Sequence, residues 1–303
     1  MRATIPPTKA PTPPARAVAA RSSRGLWRDG LHRMVRNRIA VVGMVCTSMF
    51  VVFALLAPVI APYGPYEGSL ADRLQPPSSI HLMGTDLQGD DEFSRVLYGA
   101  QVSLQVGVTA VTMALAMGGF VGAISGGIGG RLDSILMRAT DVLLSFPGIL
   151  MAIGIVAWLG RGLPQLMFAI AITYTPIFAR LLRGSLLSVR QSEFVLAARS
   201  TGASEMRILL RHMLPNSITP LIVQATLVVA TAIIDIAGLG FLGLGPPDPR
   251  TAEWGTMLSD AQDRLVTAPW LVFFPGLAIV ICAIGINLLG DGLRESLDPR
   301  MKR

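Results

Sequence analysis

Two acidic residues lie inside strongly apolar stretches of the sequence, where an ionisable side chain is costly and often functional. Asp141 falls near one end of its stretch and follows Arg138 by three residues, which is the spacing of a helical ion pair. This spacing favours a structural role for Asp141. Asp235 lies near the end of a later apolar stretch. It could face either a polar cavity or a partner subunit, and the residues alone leave both open.

A second group of charged residues lies in the polar, basic stretch 193–220, between two apolar blocks. The pattern predicts two short helices, the first over residues 191–199, with Gly202 in a left-handed conformation between them. Ser204 is a suitable N-cap for the second helix. That helix carries four apolar residues at helical spacing, which predict one apolar stripe: Met206, Leu209, Leu210 and Met213. We call residues 189–214 the polar hairpin.

The polar hairpin could receive a partner protein at the membrane surface. Two consecutive small residues, Ala197 and Ala198, would allow close backbone approach, and Pro215 marks the predicted entry to the next span. The candidate docking residues are Glu193, Ala197, Ala198, Gly202 and Arg207. The alternative is an ordinary amphipathic hairpin that lies in the membrane interface without a partner.

Catalytic and metal-binding patterns are missing from the sequence. It contains neither a GxxxxGK[ST] phosphate-binding loop nor a nucleophile–base set. The two cysteines, Cys46 and Cys282, lie far apart in apolar runs, and the three histidines form no cluster. The acidic stretch around Asp86 does not have the spacing of an EF-hand calcium loop. The sequence therefore predicts a chain that is not an enzyme and that has no cofactor or metal of its own.

Composition indicates a polytopic membrane protein made of helices. Of 303 residues, 51% are hydrophobic and 15% are charged, and the mean hydropathy is +0.55. Apolar runs of sufficient length predict six transmembrane helices, over residues 39–60, 102–124, 139–159, 165–182, 218–241 and 271–289. Residues 1–38 are predicted to be a disordered segment followed by an interfacial helix, and residues 39–303 to be the transmembrane domain. Gly118, Gly122 and Gly126 form a small-residue ridge suited to close helix packing.

The distribution of basic residues predicts the orientation in the membrane. Only five of the 26 Lys and Arg residues fall in the loops assigned to the outside: Arg73, Arg95, Arg161, Arg250 and Arg264. The rest lie in the N-terminal region, the second-to-third loop, the hairpin region and the C-terminal tail. The positive-inside rule therefore places both termini and the polar hairpin in the cytoplasm. This topology explains the net charge of +7. The basic residues are not interleaved with stacking aromatic residues, so they do not indicate nucleic-acid binding.

The polar hairpin resembles the "EAA" coupling loop of ATP-binding cassette importer permeases. The resemblance rests on Ala197-Ala198-x-x-x-Gly202 followed by Leu214-Pro215. In that family the loop docks into a groove of the cytoplasmic ATPase subunit. The glutamate of the motif falls on Leu196 here, and the nearest acid, Glu193, lies almost one helical turn earlier.

Further ordered motifs resemble the oligopeptide and dipeptide permeases of the C type, in the peptide/nickel permease family. The stretch from His81 to Arg95 is similar to their HxxGTDxxGxDxxSR signature, although Asp90 and Gln101 stand where these permeases usually carry Arg. The sequence LMRATDVLLSFPGILMAI, from Leu136 to Ile153, also resembles these permeases, as do three blocks in residues 240–300. The resemblance thus covers about residues 81–300.

This resemblance implies a type I ABC importer permease fold with a cytoplasmic coupling hairpin, in the bacterial cytoplasmic (inner) membrane. It implies half of a translocation path, a second homologous permease subunit, an extracytoplasmic substrate-binding protein and two ATP-binding cassette domains that bind ATP and Mg. The expected cargo is di- or oligopeptides, and the candidate for the substrate path is Asp235.

Two alternatives remain beside a peptide importer. The same machine could import nickel or metal chelates, because delivery proteins largely set the cargo in such systems. A proton-coupled secondary transporter would instead favour an inverted repeat and acid or histidine relays at the midplane, and the sequence shows neither.

Overall fold

A computed structural model describes residues 33–297, and this part of the chain is built of helices joined by loops. The main helices are α1 (Arg38–Ile60), α2 (Glu92–Ile128), α3 (Gly130–Ser145), α4 (Gly148–Leu159), α5 (Leu163–Arg190), α6 (Glu193–Ser200), α7 (Glu205–Leu244), α8 (Trp254–Ala261) and α9 (Trp270–Leu297). Short 3-10 turns lie at Leu70–Asp72 and Gln262–Arg264. Of the predicted N-terminal region, residues 1–32 lie outside the described part, and residues 33–36 are helical.

The close packing of α2 on α5 forms the centre of the molecule, and these two helices share its most extensive contact. A Cβ atom on Gly122 would come within 2.6 Å of the Ala179 carbonyl oxygen, and one on Gly126 within 3.0 Å of Leu186 Cβ; Gly118 lies closest, against the Thr175 carbonyl oxygen. The predicted glycine ridge is thus confirmed as a packing surface. Its contacts advance along both helices in the same direction, from Thr175 to Leu186. Helices α2 and α5 are therefore parallel.

Two apolar clusters surround this pair of helices. One lies between α2, α4, α5 and α7 and contains Val106, Leu166, Phe178 and Ile236. The other joins α1 and α9 to α2, α7 and α8 through the edge-to-face contact of Phe50 with Trp254, whose ring centroids lie 5.8 Å apart. Cys282 is buried in this second cluster and Cys46 is half-buried, and both are free thiols.

The predicted third span over residues 139–159 is not one continuous helix. Helices α3 and α4 meet at 93°, with a break at Phe146 and Pro147. Proline disfavours a helical conformation in the residue before it, and Phe146 is accordingly extended, with φ −87° and ψ 138°. Five helices of the described part are long and apolar enough to cross a membrane, and the bent pair is the sixth candidate.

The parallel packing of α2 and α5 determines the path of the bent pair, α3 and α4. Gly126, near the end of α2, lies against Arg183 and Leu186, near the end of α5. The two helices therefore end on the same side of the bundle. The chain must therefore return through the bundle between them, and only α3 and α4 connect the two helices. Together they make the third crossing, in a broken form.

Other boundaries also differ from the prediction. Helix α2 begins at Glu92, ten residues before the predicted span, and α5 continues to Arg190. The predicted separation of the second hairpin helix from the fifth span is wrong. Both belong to α7, which is α-helical at Glu205–Ile208 and Leu214–Leu239 and π-helical at Leu209–Met213. Its last segment, Gly240–Leu244, is kinked at Gly243, which has φ 78° and ψ 14°. The helix continues through Pro215, which follows the π-helical turn at the start of the next α-helical segment.

We expect Gly118→Ala to destabilise the protein, because its new methyl group would collide with the backbone of Thr175. Overpacking of this kind costs about 1–3 kcal/mol. Gly119→Ala is the matched control, since a Cβ atom on Gly119 meets nothing within 4 Å. This control should be neutral or should gain up to about 1 kcal/mol of helix stability. Thermal unfolding of the two purified variants in detergent makes the comparison, and equal midpoints would contradict the role of the ridge.

Candidate functional site

The polar hairpin is formed by α6 and the first turns of α7, joined by a tight turn. Gly202 has φ +82°, which confirms the predicted left-handed conformation. Ser204 is the N-cap of α7, and its hydroxyl accepts a hydrogen bond from the Arg207 amide at 3.4 Å. The two arms are also joined by a bidentate ion pair, in which Arg199 Nε and Nη2 lie 2.7 and 3.0 Å from the two Glu205 carboxylate oxygens. The hairpin therefore has one defined geometry.

The inner face of the hairpin is fixed to the helix bundle by apolar packing. Val195 and Ile208 are fully buried, and they form one cluster with Leu182 and Leu186 of α5. Since α7 continues into the bundle, the hairpin is held by packing and by the backbone of α7. The hairpin and the bundle therefore form one packed unit.

The outer face of the hairpin carries four of the five predicted docking residues, and the fifth, Ala198, packs against the inner apolar cluster. Glu193, Ala197, Gly202 and Arg207 are exposed, and Ala198 is half-buried. The structure therefore brings all five together on one small element.

The predicted apolar stripe of the hairpin is only half correct. Leu209 and Met213 point into the bundle, whereas Met206 and Leu210 point outward. The buried face is instead completed by Ile208, because Leu182 and Leu186 of α5 fix which side of the helix is covered. The outer face also carries Phe194, which was not predicted, and Leu196, which was singled out only as the residue in place of the motif's glutamate. Four apolar residues on this face are each 45% exposed or more: Phe194, Leu196, Met206 and Leu210. Which apolar side chains stay exposed could be determined only after the structure showed which side of the hairpin packs on the bundle.

Asp141 is paired, but its partner is not the predicted Arg138. Arg180 of α5 lies 2.5 Å from the Asp141 carboxylate, and both side chains are more than half exposed. A neighbouring pair, Arg183 with Asp133, is bidentate at 2.6 and 2.7 Å and is more buried. Helix α5 runs beside α3, so Arg180 reaches the acid that local spacing had assigned to Arg138. These pairs connect the broken third crossing to the central helix.

Asp235 lies on α7 and is half-buried. Its carboxylate oxygen Oδ2 accepts a hydrogen bond of 2.7 Å from the Tyr174 hydroxyl of α5. The ion pairs of the described residues do not include Asp235. Sequence reasoning identified the acid but could not identify its tyrosine partner, which is 61 residues away in the chain.

The acidic stretch 81–95 forms a structural cluster before and at the start of α2. Arg95 lies 2.9 Å from Asp86 and 3.4 Å from Asp90, and it donates a hydrogen bond of 3.1 Å to the Pro249 carbonyl oxygen. Asp91 is the N-cap of α2 and lies 2.9 Å from His81 Nδ1. Burial raises the pKa of Asp86, and the nearby Arg95 guanidinium opposes this shift.

This cluster holds loops together. Asp90, where the resembling signature usually has Arg, is buried and accepts a hydrogen bond of 2.7 Å from the Gly68 amide. Within residues 33–297 no three His, Cys, Asp or Glu side chains are placed to hold a metal ion.

Comparison with protein families gives two matches. Residues 118–303 match the family described as "Binding-protein-dependent transport system inner membrane component". Residues 25–77 match the "N-terminal TM domain of oligopeptide transport permease C".

Two relatives illustrate the similarity of nearly the whole chain. The dipeptide transport system permease protein DppC of Alkalihalophilus pseudofirmus is 46% identical over 276 residues, which are 91% of this chain and 90% of that protein. The glutathione transport system permease protein GsiD of Escherichia coli is 45% identical over 277 residues, which are 91% of each chain.

The fold itself is similar to a solved transporter. A chain of the MetNI methionine ABC transporter, in an inward-facing conformation, superposes with a TM-score of 0.57 at 18% identity. The superposition covers 68% of this chain and 97% of that one. The chain therefore has the fold of an ABC importer permease, as the sequence predicted.

We expect Arg183→Met to destabilise the protein more than Arg180→Met does. Loss of Arg183 leaves Asp133, which is only 17% exposed, without its bidentate partner, and this should cost about 1–3 kcal/mol. Arg180→Met breaks an exposed pair, which is worth at most about 1 kcal/mol. Unfolding followed by tryptophan fluorescence in detergent would measure both. A larger loss for Arg180→Met would show that the exposed pair is the stronger connection between α3 and α5.

Proposed function

This chain belongs to the family of binding-protein-dependent transport system inner membrane components, and we propose that it is one permease subunit of an ATP-driven importer of di- or oligopeptides. The peptide cargo is inferred from the 45–46% identity, over about nine-tenths of the chain, to dipeptide and glutathione permeases. Glutathione is itself a small peptide. Import of nickel is not favoured, because these relatives are named as dipeptide and glutathione permeases.

The subunit contributes half of the translocation path, and a second homologous permease subunit contributes the other half. Two ATP-binding cassette domains bind ATP with Mg and hydrolyse it on the cytoplasmic side. An extracytoplasmic substrate-binding protein delivers the peptide. These partners are supported by membership of a binding-protein-dependent family. They are also supported by the missing phosphate-binding loop in this sequence.

The polar hairpin is the surface on which an ATPase domain docks. Its outer face combines the exposed apolar residues Phe194, Leu196, Met206 and Leu210 with the charges of Glu193 and Arg207. Apolar side chains surrounded by charges are typical of a protein interface. Leu196 stands where the family's motif carries glutamate, so this docking surface is more apolar at that point.

The continuity of α7 explains how docking could drive transport. This helix spans 40 residues, from the hairpin to Leu244, and it packs on α2, α5 and α9. Asp235 lies 30 residues beyond Glu205, which is about 45 Å along a helix. Movement of the hairpin by the ATPase domains would therefore move the far end of α7. ATP acts by favouring one of the two arrangements of the bundle.

The proposed orientation has both termini and the polar hairpin in the cytoplasm and the cluster at 81–95 outside. It is supported by the basic residues and by six crossings, of which the third is broken. A single cysteine should be labelled by an impermeant reagent from outside when it replaces Leu82, an exposed residue of the 81–95 cluster, and only from the cytoplasm when it is placed beside Glu205. The two native cysteines, Cys46 and Cys282, are replaced first. The reverse pattern of labelling would contradict this orientation.

The function is tested by uptake into proteoliposomes that contain the co-purified permease and ATPase subunits. We expect uptake of labelled dipeptide that requires both ATP and the substrate-binding protein. A complex that takes up nickel but not peptide would contradict the proposed cargo. A complex that transports peptide without ATP would contradict the proposed mechanism.

In the same assay, Gly202→Val should abolish peptide uptake and stimulated ATP hydrolysis while leaving the amount of complex near normal. A β-branched residue at φ +82° strains the turn by about 1–3 kcal/mol, and no atom lies within 4 Å to add a clash. Gly202→Asn is the matched control, because asparagine tolerates the left-handed region. Leu196→Glu should be tolerated, since the position is exposed. Normal transport by Gly202→Val would mean that the hairpin is a passive connection.

A further inference from the structure

One side of α7 is only partly covered by the rest of the described chain, and it carries an acidic residue, which is rare in a helix within a membrane. Residues 231, 234, 235, 238 and 242 recur at helical spacing on this side, and each is exposed or half-buried. Their neighbours Ile233, Ile236 and Ala237 are buried against the bundle. This side includes Thr231 and Asp235 beside the apolar Ile234 and Leu242.

Asp235 is the chemically distinctive member of this side of α7. The Tyr174 hydroxyl donates to Oδ2 at 2.7 Å and holds the carboxylate in one orientation. Within residues 33–297, no other group donates a hydrogen bond to this carboxylate, so Oδ1 is open to a further donor. Charged side chains within membrane spans either pair with another group or line a water-filled path. An oriented carboxylate with one free oxygen is suited to bind a cation with N–H donors.

We propose that Asp235, oriented by Tyr174, binds the α-ammonium group of the peptide as it passes through the transporter. This inference rests on the proposed function, because it needs a peptide as the cargo. The α-amino group is common to all unmodified peptides and is mostly protonated at neutral pH. A single carboxylate can therefore recognise peptides of any sequence, and an ammonium bound to it forms a charge-assisted hydrogen bond.

The remaining residues of this side fit a site that is indifferent to peptide sequence. Thr231 lies one helical turn before Asp235, and its hydroxyl donates to the Val228 carbonyl oxygen of its own helix. Ile234 and Leu242 add apolar surface without a specific polar contact. A Cβ atom on Gly238 would meet only Ile149 of α4, at 4.0 Å, so the site has no bulky side chain next to Asp235 on that turn.

The experiment measures whether peptide protects a cysteine beside Asp235. Thr231→Cys is introduced in the complete complex in nanodiscs, after replacement of Cys46 and Cys282, and its reaction with a maleimide is timed. The assay uses millimolar dipeptide without the binding protein, so delivery does not limit it. We expect the dipeptide to slow labelling about tenfold, and a deaminated analogue of the same dipeptide to have little effect.

Variants in the Thr231→Cys background assign this protection to the carboxylate. Asp235→Asn, which keeps the shape and removes the charge, should abolish protection, and Asp235→Glu should retain part of it. Tyr174→Phe should weaken protection by a smaller factor, because the carboxylate stays but loses its orienting donor. Ile218→Ala is the matched control, because Ile218 is an exposed apolar residue of α7 that lies outside the proposed site, and it should leave protection unchanged.

Three outcomes would overturn the inference. The deaminated analogue could protect as well as the dipeptide, Asp235→Asn could retain full protection, or the dipeptide could give no protection at all. If Asp235 instead pairs with a cation of the second permease subunit, Asp235→Asn should lower recovery of that subunit, and peptide should not affect labelling. Failure of the proposed function is distinguishable, because it is the loss of ATP-dependent peptide uptake by the unmodified complex.

Discussion

The structure depends on the close approach of two parallel helices, α2 and α5, along a ridge of glycines. In a membrane, helices gain little from the hydrophobic effect when they associate, so their contact depends on how closely their backbones can pack. Gly118, Gly122 and Gly126 permit that approach. Because the two helices are parallel, the chain must cross back between them, and this requirement determines the place of α3 and α4. The ion pairs of Asp133 and Asp141 with α5 then hold the returning segment.

Much of this architecture could be predicted from the sequence, because its causes are local or periodic. Apolar runs of about 20 residues identified the crossings, and the glycine spacing identified a packing surface. The turn of the polar hairpin was also predictable, since Gly202 and Ser204 each act through their own backbone neighbourhood. The motifs shared with peptide permeases predicted the fold that the structural comparison supports.

The remaining features depend on contacts between residues distant in sequence. Asp141 pairs with Arg180 rather than Arg138 because α5 lies beside α3, which spacing along one helix cannot reveal. The break at Pro147 was visible as a proline, but a proline inside a span can bend a helix slightly or end it. Pro176 and Pro275 lie inside continuous helices, so residue type alone did not decide the outcome. The Tyr174 partner of Asp235 and the buried side of the hairpin likewise follow from packing.

The π-helical turn at Leu209–Met213 affects where residues can be inserted or deleted during the evolution of such chains. In this turn the Leu214 amide donates to the Leu209 carbonyl oxygen, so it contains one residue more than an α-helical turn. Removal of one residue here would convert it to an ordinary turn, and the helix on either side would keep its register. A deletion at any other point between the hairpin and Asp235 would rotate Asp235 by about 100° relative to the hairpin. We therefore expect related chains that differ in length by one residue in α7 to differ at this turn. There, a residue can be gained or lost without rotating Asp235 relative to the hairpin.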